Sequence, residues 1–282
     1  MMCVRDMLAM VVSATDDEPV LETAQQLRTR FEGAHVSVLA FLQKPQVKSR
    51  IEMPDAAVMG GVAFVRERTQ AQSGALEESI LLSRRLERIG GRTPLRRIEI
   101  ASGAEADLAG LEARCAGLTL MMRPTGLANE PFRRAMFESV LYESGRPLIL
   151  TPPEWRNKPL GRVVLIAWDG SREAARAVAD AQPLLAEAEA VHVFSIHVAG
   201  RNGPSGMALG AHLRRSGLRC HQRTITGARH EIESLLLGEC AAVGADLLVM
   251  GGYGHARLHE LLFGGVTRSL VRASPIPLFI SR

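Results

Sequence analysis

The chain has 282 residues, of which 46% are hydrophobic, 4% aromatic and 23% charged, and its formal net charge is +4. This composition is typical of an α/β core packed by Ala, Val and Leu, and it excludes a disordered chain. The small charge, without a long Lys/Arg run, argues against nucleic acid as a partner. No run of 18 apolar residues occurs, so we expect no membrane span. The cysteines stand singly and predict buried free thiols in a reducing cytoplasm.

Apolar segments alternate with helix-compatible segments, and their order repeats once along the chain. The predicted strands of the first half are Met7–Ser13, Val36–Leu42, Leu95–Ala101, 116–121 and Pro147–Thr151. Those of the second half are Val163–Trp168, Val191–Val198, Arg219–Thr226, 245–250 and Pro277–Ser281. A long helical stretch, 56–89, is predicted between the second and third strands of the first half. Strands alternating with helices indicate βαβ units and parallel sheets.

The repeat predicts an α/β fold with two doubly wound parallel five-stranded sheets, each in the strand order 3-2-1-4-5. The connector Pro152–Pro159 is proline-rich and polar, so we divide the chain into domains 1–152 and 160–282. In this order the first and fourth strands of each half are neighbours. A crevice then opens at their carboxyl ends, which is where such sheets bind ligands.

The strongest local signal is a glycine pattern after the fourth strand of the second half. It consists of Gly251, Gly254 and Gly264, and Gly265-Val266-Thr267 follows directly. Glycine lets the backbone approach a ligand closely, and the N–H groups at a helix start favour anions. The pattern therefore predicts a phosphate site, although two structural turns would also use these glycines. In the first half Met122-Arg123-Pro124-Thr125 stands in its place, which predicts a structural copy without the anion site.

Further candidate residues flank this pattern. Asp169 ends the first strand of the second half, as Asp16 does in the first half. Asp169 could accept hydrogen bonds from a ribose or a base, or it could cap the helix that begins at Ser171. Val198 could form an apolar wall for a flat base or belong to the core, and Met250 is a core residue whose backbone could touch a base. We assign His255 to phosphate rather than zinc, because no third metal ligand stands nearby.

These residues resemble the universal stress protein family in its tandem two-domain form. The family motif is Gly, two residues, Gly, nine residues, Gly and then Ser or Thr. The chain matches it at Gly251, Gly254 and Gly264, and has Gly265 at the Ser/Thr position. The family's first-strand acid matches Asp169, and its second-strand His-Val matches His197-Val198. The resemblance implies an adenine-nucleotide alpha-hydrolase-like fold that binds ATP or a related adenine nucleotide, with Mg²⁺ as a possible companion.

The resemblance also implies a function, namely a cytoplasmic stress-response sensor or regulatory protein that binds an adenine nucleotide. P-loop and metalloprotease motifs are absent from the sequence, so we expect weak ATP hydrolysis at most. One alternative is a structural or interaction protein with a vestigial nucleotide site. Another is an enzyme of the same fold class, similar to electron-transfer flavoproteins or to ATP-cleaving enzymes.

The last strand of each half is expected to lie at a sheet edge, where it is open to pairing. These strands are Leu148-Ile149-Leu150 and Leu278-Phe279-Ile280. Single-domain relatives dimerise through this strand. The resemblance therefore implies an intramolecular pseudo-dimer in which the two strands are antiparallel or closely apposed, and a homodimer is a further possibility.

Overall fold

The structure is a computed structural model, and it describes residues 4–43, 77–87, 93–100, 105–124, 130–198, 206–252 and 265–282. The strands are β1 (Asp6–Val11), β2 (His35–Gln43), β3 (Leu95–Ile100), β4 (Leu118–Met122), β5 (Leu148–Thr151), β6 (Val163–Ala167), β7 (Ala190–His197), β8 (Cys220–Thr226), β9 (Leu247–Gly251) and β10 (Leu278–Ser281). The helices are α1 (Glu18–Arg30), α2 (77–87), α3 (Ala106–Ala113), α4 (Glu130–Glu143), α5 (Arg172–Ala186), α6 (Gly206–Arg215), α7 (Ile232–Val243) and α8 (Gly265–Ala273).

Every predicted strand is present, with ends that differ by about two residues or fewer, as is usual for element boundaries. Of the helical stretch predicted at 56–89, the structure describes 77–87 as α2. The rest of that stretch lies outside the described residues. No helix in the described part of the chain is long and apolar enough to cross a bilayer.

The ten strands form one sheet in the order β3-β2-β1-β4-β5-β10-β9-β6-β7-β8. Each half therefore has the predicted order 3-2-1-4-5, with parallel neighbours throughout. The halves join through β5 and β10, which pair antiparallel with Phe279 opposite Ile149. The antiparallel pairing expected for these two strands is observed, and it makes the two five-stranded sheets continuous.

Because the junction is antiparallel, the carboxyl ends of the first half's strands lie at one edge of the sheet. The carboxyl ends of the second half's strands lie at the opposite edge. The C-terminal turn of α4 therefore comes close to the carboxyl ends of β9 and β10. A contact between the two halves shows this, since the guanidinium carbon of Arg282 lies 4.6 Å from the centre of the Tyr142 ring.

Helices cover both faces of the sheet, which explains why its central strands are apolar at nearly every position. One core contains residues of α1, α2, α5 and α6, among them Leu27, Leu82, Ala177 and Leu213. The other contains residues of α3, α4, α7 and α8, among them Ala109, Val140, Leu236 and Leu270. The outer strands β3 and β8 carry mostly exposed or half-buried residues, since each has a neighbour on one side only.

The connector between the halves lies against α1 of the first half. Arg30 Nη1 donates hydrogen bonds to the carbonyl oxygens of Leu160, at 2.9 Å, and Gly161, at 3.1 Å. Gln26 donates to the Lys158 carbonyl oxygen at 2.9 Å. The connector is therefore anchored on the first half by polar contacts to its backbone.

The cysteines are only partly as predicted. Cys220 and Cys240 are buried free thiols, and burial raises the pKa of the Cys240 thiol to about 12. Cys115 is also a free thiol but is exposed, so the prediction that it is buried was wrong. It follows the end of α3, in the turn that leads to β4, where the core does not reach its side chain.

Candidate functional site

The carboxyl ends of β6 and β9 lie side by side. The two strands are parallel neighbours, with Ile166 opposite Val249, so both chains leave the sheet at the same edge. β6 continues into Trp168-Asp169-Gly170, and β9 ends in Gly251-Gly252. This is the crevice at which the strand order reverses within the second half, where open α/β sheets bind ligands.

Asp169 is exposed at this edge, and its carboxylate accepts one hydrogen bond from the backbone N–H of Ser171, at 2.9 Å. The intervening Gly170 has φ of +74°, a conformation that favours glycine. Ser171 is the N-cap of α5, since its Oγ accepts from the N–H of Ala174 at 3.1 Å. The capping role considered for Asp169 was therefore wrong, because the shorter serine side chain two residues later occupies the cap.

Asp169, Val198 and the start of α8 belong to the same side of the sheet. Side chains alternate along a strand, and Leu165 and Ala167 of β6 pack into the core that α7 and α8 cover. Asp169 lies two residues after Ala167, so the same alternation places its side chain on the face of Leu165 and Ala167. Val198 likewise follows Ile196 of that core and is half-buried. An exposed carboxylate and an apolar side chain thus flank the end of β6 on the face that α8 covers.

Gly251 and Gly252 are required for packing. An ideal Cβ at Gly251 would lie 2.5 Å from the backbone nitrogen of Ala174, because the end of β9 touches the first turn of α5. A Cβ at Gly252 would lie 2.9 Å from Ile280 Cγ2 and 3.1 Å from Leu141 Cδ1, the latter in the first half. From the sequence, Gly251 was explained by the close approach of a phosphate. In the structure, the contact with the first turn of α5 is enough to exclude a side chain at this position.

The remaining predicted residues divide into three groups. Met250 is 5% exposed and packs into the core under α7 and α8. Gly265, Val266 and Thr267 form the first turn of α8, and a Cβ at Gly265 would meet no atom of the described part of the chain within 4 Å. Gly254, His255 and Gly264 lie outside the described residues.

The corresponding edge of the first half is built from different residues. In strand register Leu118 lies opposite Met7 and Leu247 opposite Val164, so Met122 and Arg123 of the first half correspond to Gly251 and Gly252. The same register matches Val12, not Asp16, with Asp169, so the predicted equivalence of the two acids was wrong. The acid of the first half lies several residues beyond the strand because the turn before α1 is longer than the turn before α5.

A buried ion pair occupies the carboxyl end of β1. Arg133 of α4, 2% exposed, donates to Asp17, 0% exposed, with Nη1–Oδ1 and Nη2–Oδ2 distances of 2.5 and 3.1 Å. Asp17 also accepts from the backbone N–H groups of Val12 and Ser13 at 2.6 and 2.9 Å. Backbone donors that could face a ligand are thus satisfied by a side chain of the protein. Sequence reasoning missed this pair, since its partners are 116 residues apart.

Arg123 contacts the second half. It is 9% exposed, donates a hydrogen bond to the Arg272 carbonyl oxygen in the last turn of α8, and lies 3.7 Å from a carboxylate oxygen of Glu154. Burial lowers the pKa of this guanidinium, and Glu154 partly offsets the effect. The arginine that corresponds to Gly252 therefore contacts the last turn of the helix that begins at Gly265.

The described residues contain no group of three or more His, Cys, Asp or Glu side chains placed to hold a metal ion. His255, which the sequence analysis weighed as a zinc ligand, lies outside these residues.

Comparison with known proteins connects this geometry to a family. Residues 161–282 match the model of the Universal stress protein family. No curated protein was found to match the chain.

Solved structures match the full length of the chain. A universal stress protein from Archaeoglobus fulgidus is 16% identical, with a TM-score of 0.70 over 100% of this chain and 97% of that one. A putative universal stress protein from Pseudomonas aeruginosa is 15% identical, with a TM-score of 0.58 over 99% of this chain and 93% of that one. At these identities the likeness establishes a common fold for both halves.

Proposed function

We propose that the protein binds one adenine nucleotide in its second half, where residues 161–282 match the Universal stress protein family, and that it acts as a cytoplasmic stress-response sensor or regulator. We divide it into a supporting domain, 1–152, and a binding domain, 160–282. ATP or a related adenine nucleotide is the ligand, with Mg²⁺ as a possible companion of its phosphates. The two domains form an intramolecular pseudo-dimer through β5 and β10.

One observation carries this proposal, namely the difference between the two carboxyl edges. In the second half Asp169 is exposed beside the end of β9, and α8 begins on the same side of the sheet. In the first half the equivalent edge is closed by the buried pair of Asp17 and Arg133. A ligand with hydrogen-bonding groups fits the open edge, whereas the closed edge would have to break an ion pair to admit one.

Different residues bind different parts of the nucleotide. Asp169 accepts hydrogen bonds from the ribose or base, and Val198 packs against the base. Gly251 and the backbone of Met250 shape the floor of the crevice. The phosphates are bound by the motif residues that follow, Gly254, His255, Gly264, Gly265, Val266 and Thr267, where N–H groups at the start of α8 provide donors.

The experiment is a calorimetric titration of the full chain with ATP, paired with mass spectrometry of nucleotide retained through native purification. We expect a stoichiometry near one and a loss of affinity of about tenfold in Asp169→Asn, since a charge-assisted hydrogen bond is removed. Asp16→Asn, which changes an acid of the first half that does not match Asp169 in register, is the control and should bind normally. A stoichiometry near two, or unchanged binding by Asp169→Asn, contradicts the proposal.

A second candidate function is a structural or interaction protein whose nucleotide site is vestigial. The packing of Gly251 and Gly252 favours this second function, because close contacts with the rest of the protein require glycine at both positions whether or not a phosphate binds. The two functions separate in a thermal melt. At about 100 times Kd a ligand adds about 2.7 kcal/mol of stability, a shift of a few degrees for domains of this size. No shift with millimolar adenine nucleotides supports the vestigial site.

A further inference from the structure

A surface depression of about 410 Å³ lies at the second half's carboxyl edge, beside the start of α5 and the end of β10. Among the described residues it is lined by Arg172, Glu173, Arg176 and Arg282. Three of these four side chains are guanidinium groups, and they come from two different elements of the fold. All four lie within the residues that match the family model, and none of them belongs to the glycine pattern.

The depression adjoins the proposed nucleotide site without overlapping it. A Cβ at Gly251 would lie 2.6 Å from the carbonyl carbon of Glu173, so the lining of the depression touches the last residue of β9. The start of α8 belongs to the other face of the sheet, because α8 and α5 pack into different cores. A ligand group that crosses the edge of the sheet at Gly251 would enter the depression.

The charges around the depression do not cancel. Arg172 Nε lies 2.6 Å from a Glu173 carboxylate oxygen, and Arg176 Nε lies 3.0 Å from one of Asp180. Arg282 lies over the Tyr142 ring, and among the described residues no side-chain carboxylate forms an ion pair with it. Asp180 is further engaged by the Ser281 hydroxyl, which donates to it at 2.5 Å.

The arginines also keep donors for a ligand. Both ion pairs are made through Nε, and a guanidinium has five N–H donors, so the terminal Nη groups of Arg172 and Arg176 remain available within the described part of the chain. Arg172 and Arg176 are well exposed, at 83% and 53% of their side-chain surface. Three such groups around one small depression suit a ligand with several closely spaced negative charges, which a single carboxylate does not provide.

We propose that Arg172, Arg176 and Arg282 bind a polyphosphate chain. Two sources have this chemistry, namely the terminal phosphates of a nucleotide whose inner phosphate the motif residues bind, and free inorganic polyphosphate. The first source rests on the proposed nucleotide function, and it would make the protein prefer ATP to AMP. The second does not depend on that function.

The test is calorimetry on the full chain at fixed ionic strength with three ligands, sodium tripolyphosphate, ATP and AMP. The double variant Arg172→Gln/Arg176→Gln removes two of the three charges. The matched control, Arg162→Gln/Arg223→Gln, removes two exposed arginines that are also ion-paired, with Glu189 and Glu239, elsewhere in the second half. Circular dichroism and thermal melting check that each variant is folded.

We expect tripolyphosphate to bind the wild type and to bind the double variant about tenfold more weakly or worse, with the control unchanged. If ATP weakens in parallel while AMP does not, the nucleotide's own phosphates are the source. If tripolyphosphate binding depends on the arginines but neither nucleotide binds the wild type, the polyphosphate site stands and the proposed nucleotide function fails. Absence of tripolyphosphate binding, or equal losses in the double variant and the control, overturns the inference.

Discussion

The ideal Cβ position of Gly251 lies 2.5 Å from the backbone nitrogen of Ala174, so β9 ends in direct contact with the first turn of α5. At Gly265, the first residue of α8, an added Cβ would meet no atom of the described residues within 4 Å. The two positions belong to the same sequence pattern, but they are glycine for different physical reasons. Packing excludes a side chain at Gly251, whereas a side chain fits at Gly265.

This difference predicts opposite effects on stability. Gly251→Ala should destabilise the protein by about 1–3 kcal/mol, because backbone atoms of α5 must move to admit the methyl group. Gly265→Ala should leave stability unchanged or raise it slightly, since alanine favours helix over glycine by up to about 1 kcal/mol. Chemical denaturation of both variants measures the difference. Equal stability of the two would show that α5 shifts without penalty.

Gly265→Ser should strengthen nucleotide binding. The family resemblance has Ser or Thr at this position, and the structure has room for the side chain. A new neutral hydrogen bond to a phosphate adds about 0.5–1.5 kcal/mol, which is up to about tenfold in Kd. Calorimetry with ATP measures it, and Gly265→Ala is the control that adds a Cβ without a hydroxyl. Weaker binding by the serine variant would mean that the start of α8 does not face the phosphates.

The fold was predictable from the sequence, because the apolar strands of a parallel sheet are continuous runs and the same order of elements occurs twice. The pairing of β5 with β10 was expected from the short apolar strand that ends each half and from the family resemblance, whereas its register, with Ile149 opposite Phe279, was not predicted. The pair of Asp17 and Arg133 was not predictable, because it depends on a contact between distant residues. The role of Gly251 was also missed, since close packing and close approach of a ligand select the same residue type.

The buried pair of Asp17 and Arg133 should dominate the stability of the first half. Arg133→Met leaves the Asp17 carboxylate buried without a counter-charge, so we expect a loss of about 3–5 kcal/mol. The double variant Asp17→Asn/Arg133→Met should recover part of that loss. Denaturation curves for the single and double variants give the coupling energy between the two residues.

Arg134→Met is the control on the same helix. Arg134 is 46% exposed and pairs with Glu138 one turn away, and exposed pairs of this kind contribute about 0.3–0.5 kcal/mol. Comparable losses for Arg133→Met and Arg134→Met would mean that the buried pair is no more important than a surface one.

His192 should make the protein less stable as the pH falls. It stacks on His221 of the neighbouring strand, with ring centres 5.1 Å apart. Burial lowers the pKa of His192, the charge of His221 lowers it further, and Glu239 partly offsets both effects. The unfolded state, with a histidine pKa of about 6.5, therefore binds the proton first. Stability is full above that value and declines as the pH falls below it.

Thermal melts of the wild type and His192→Gln at pH 7.5 and 5.5 measure this effect. The variant should lose less stability than the wild type between the two values. His212→Gln removes an exposed histidine of α6 and should behave as the wild type does. If His192→Gln loses as much stability as the wild type between the two pH values, other titrating groups cause the effect.

The junction of β5 and β10 should be among the last parts of the sheet to open. Both strands are buried at every residue and have a neighbour on each side, whereas β8 has one neighbour and is largely exposed. Hydrogen exchange followed by mass spectrometry should show peptides of β5 and β10 exchanging together and slowly, and those of β8 early.

Phe279→Ala tests whether the halves open as one unit. Phe279 is 0% exposed and lies opposite Ile149, so its truncation should cost about 3–5 kcal/mol through the cavity it leaves. If the junction is cooperative, the protection of β5 and β10 falls by a similar factor, although the substitution lies in β10 alone. Leu248→Ala, in the neighbouring strand of the second half, is the control for a general loss of core packing. Retained protection of β5 with rapid exchange of β10 would show that the second half opens independently of the first.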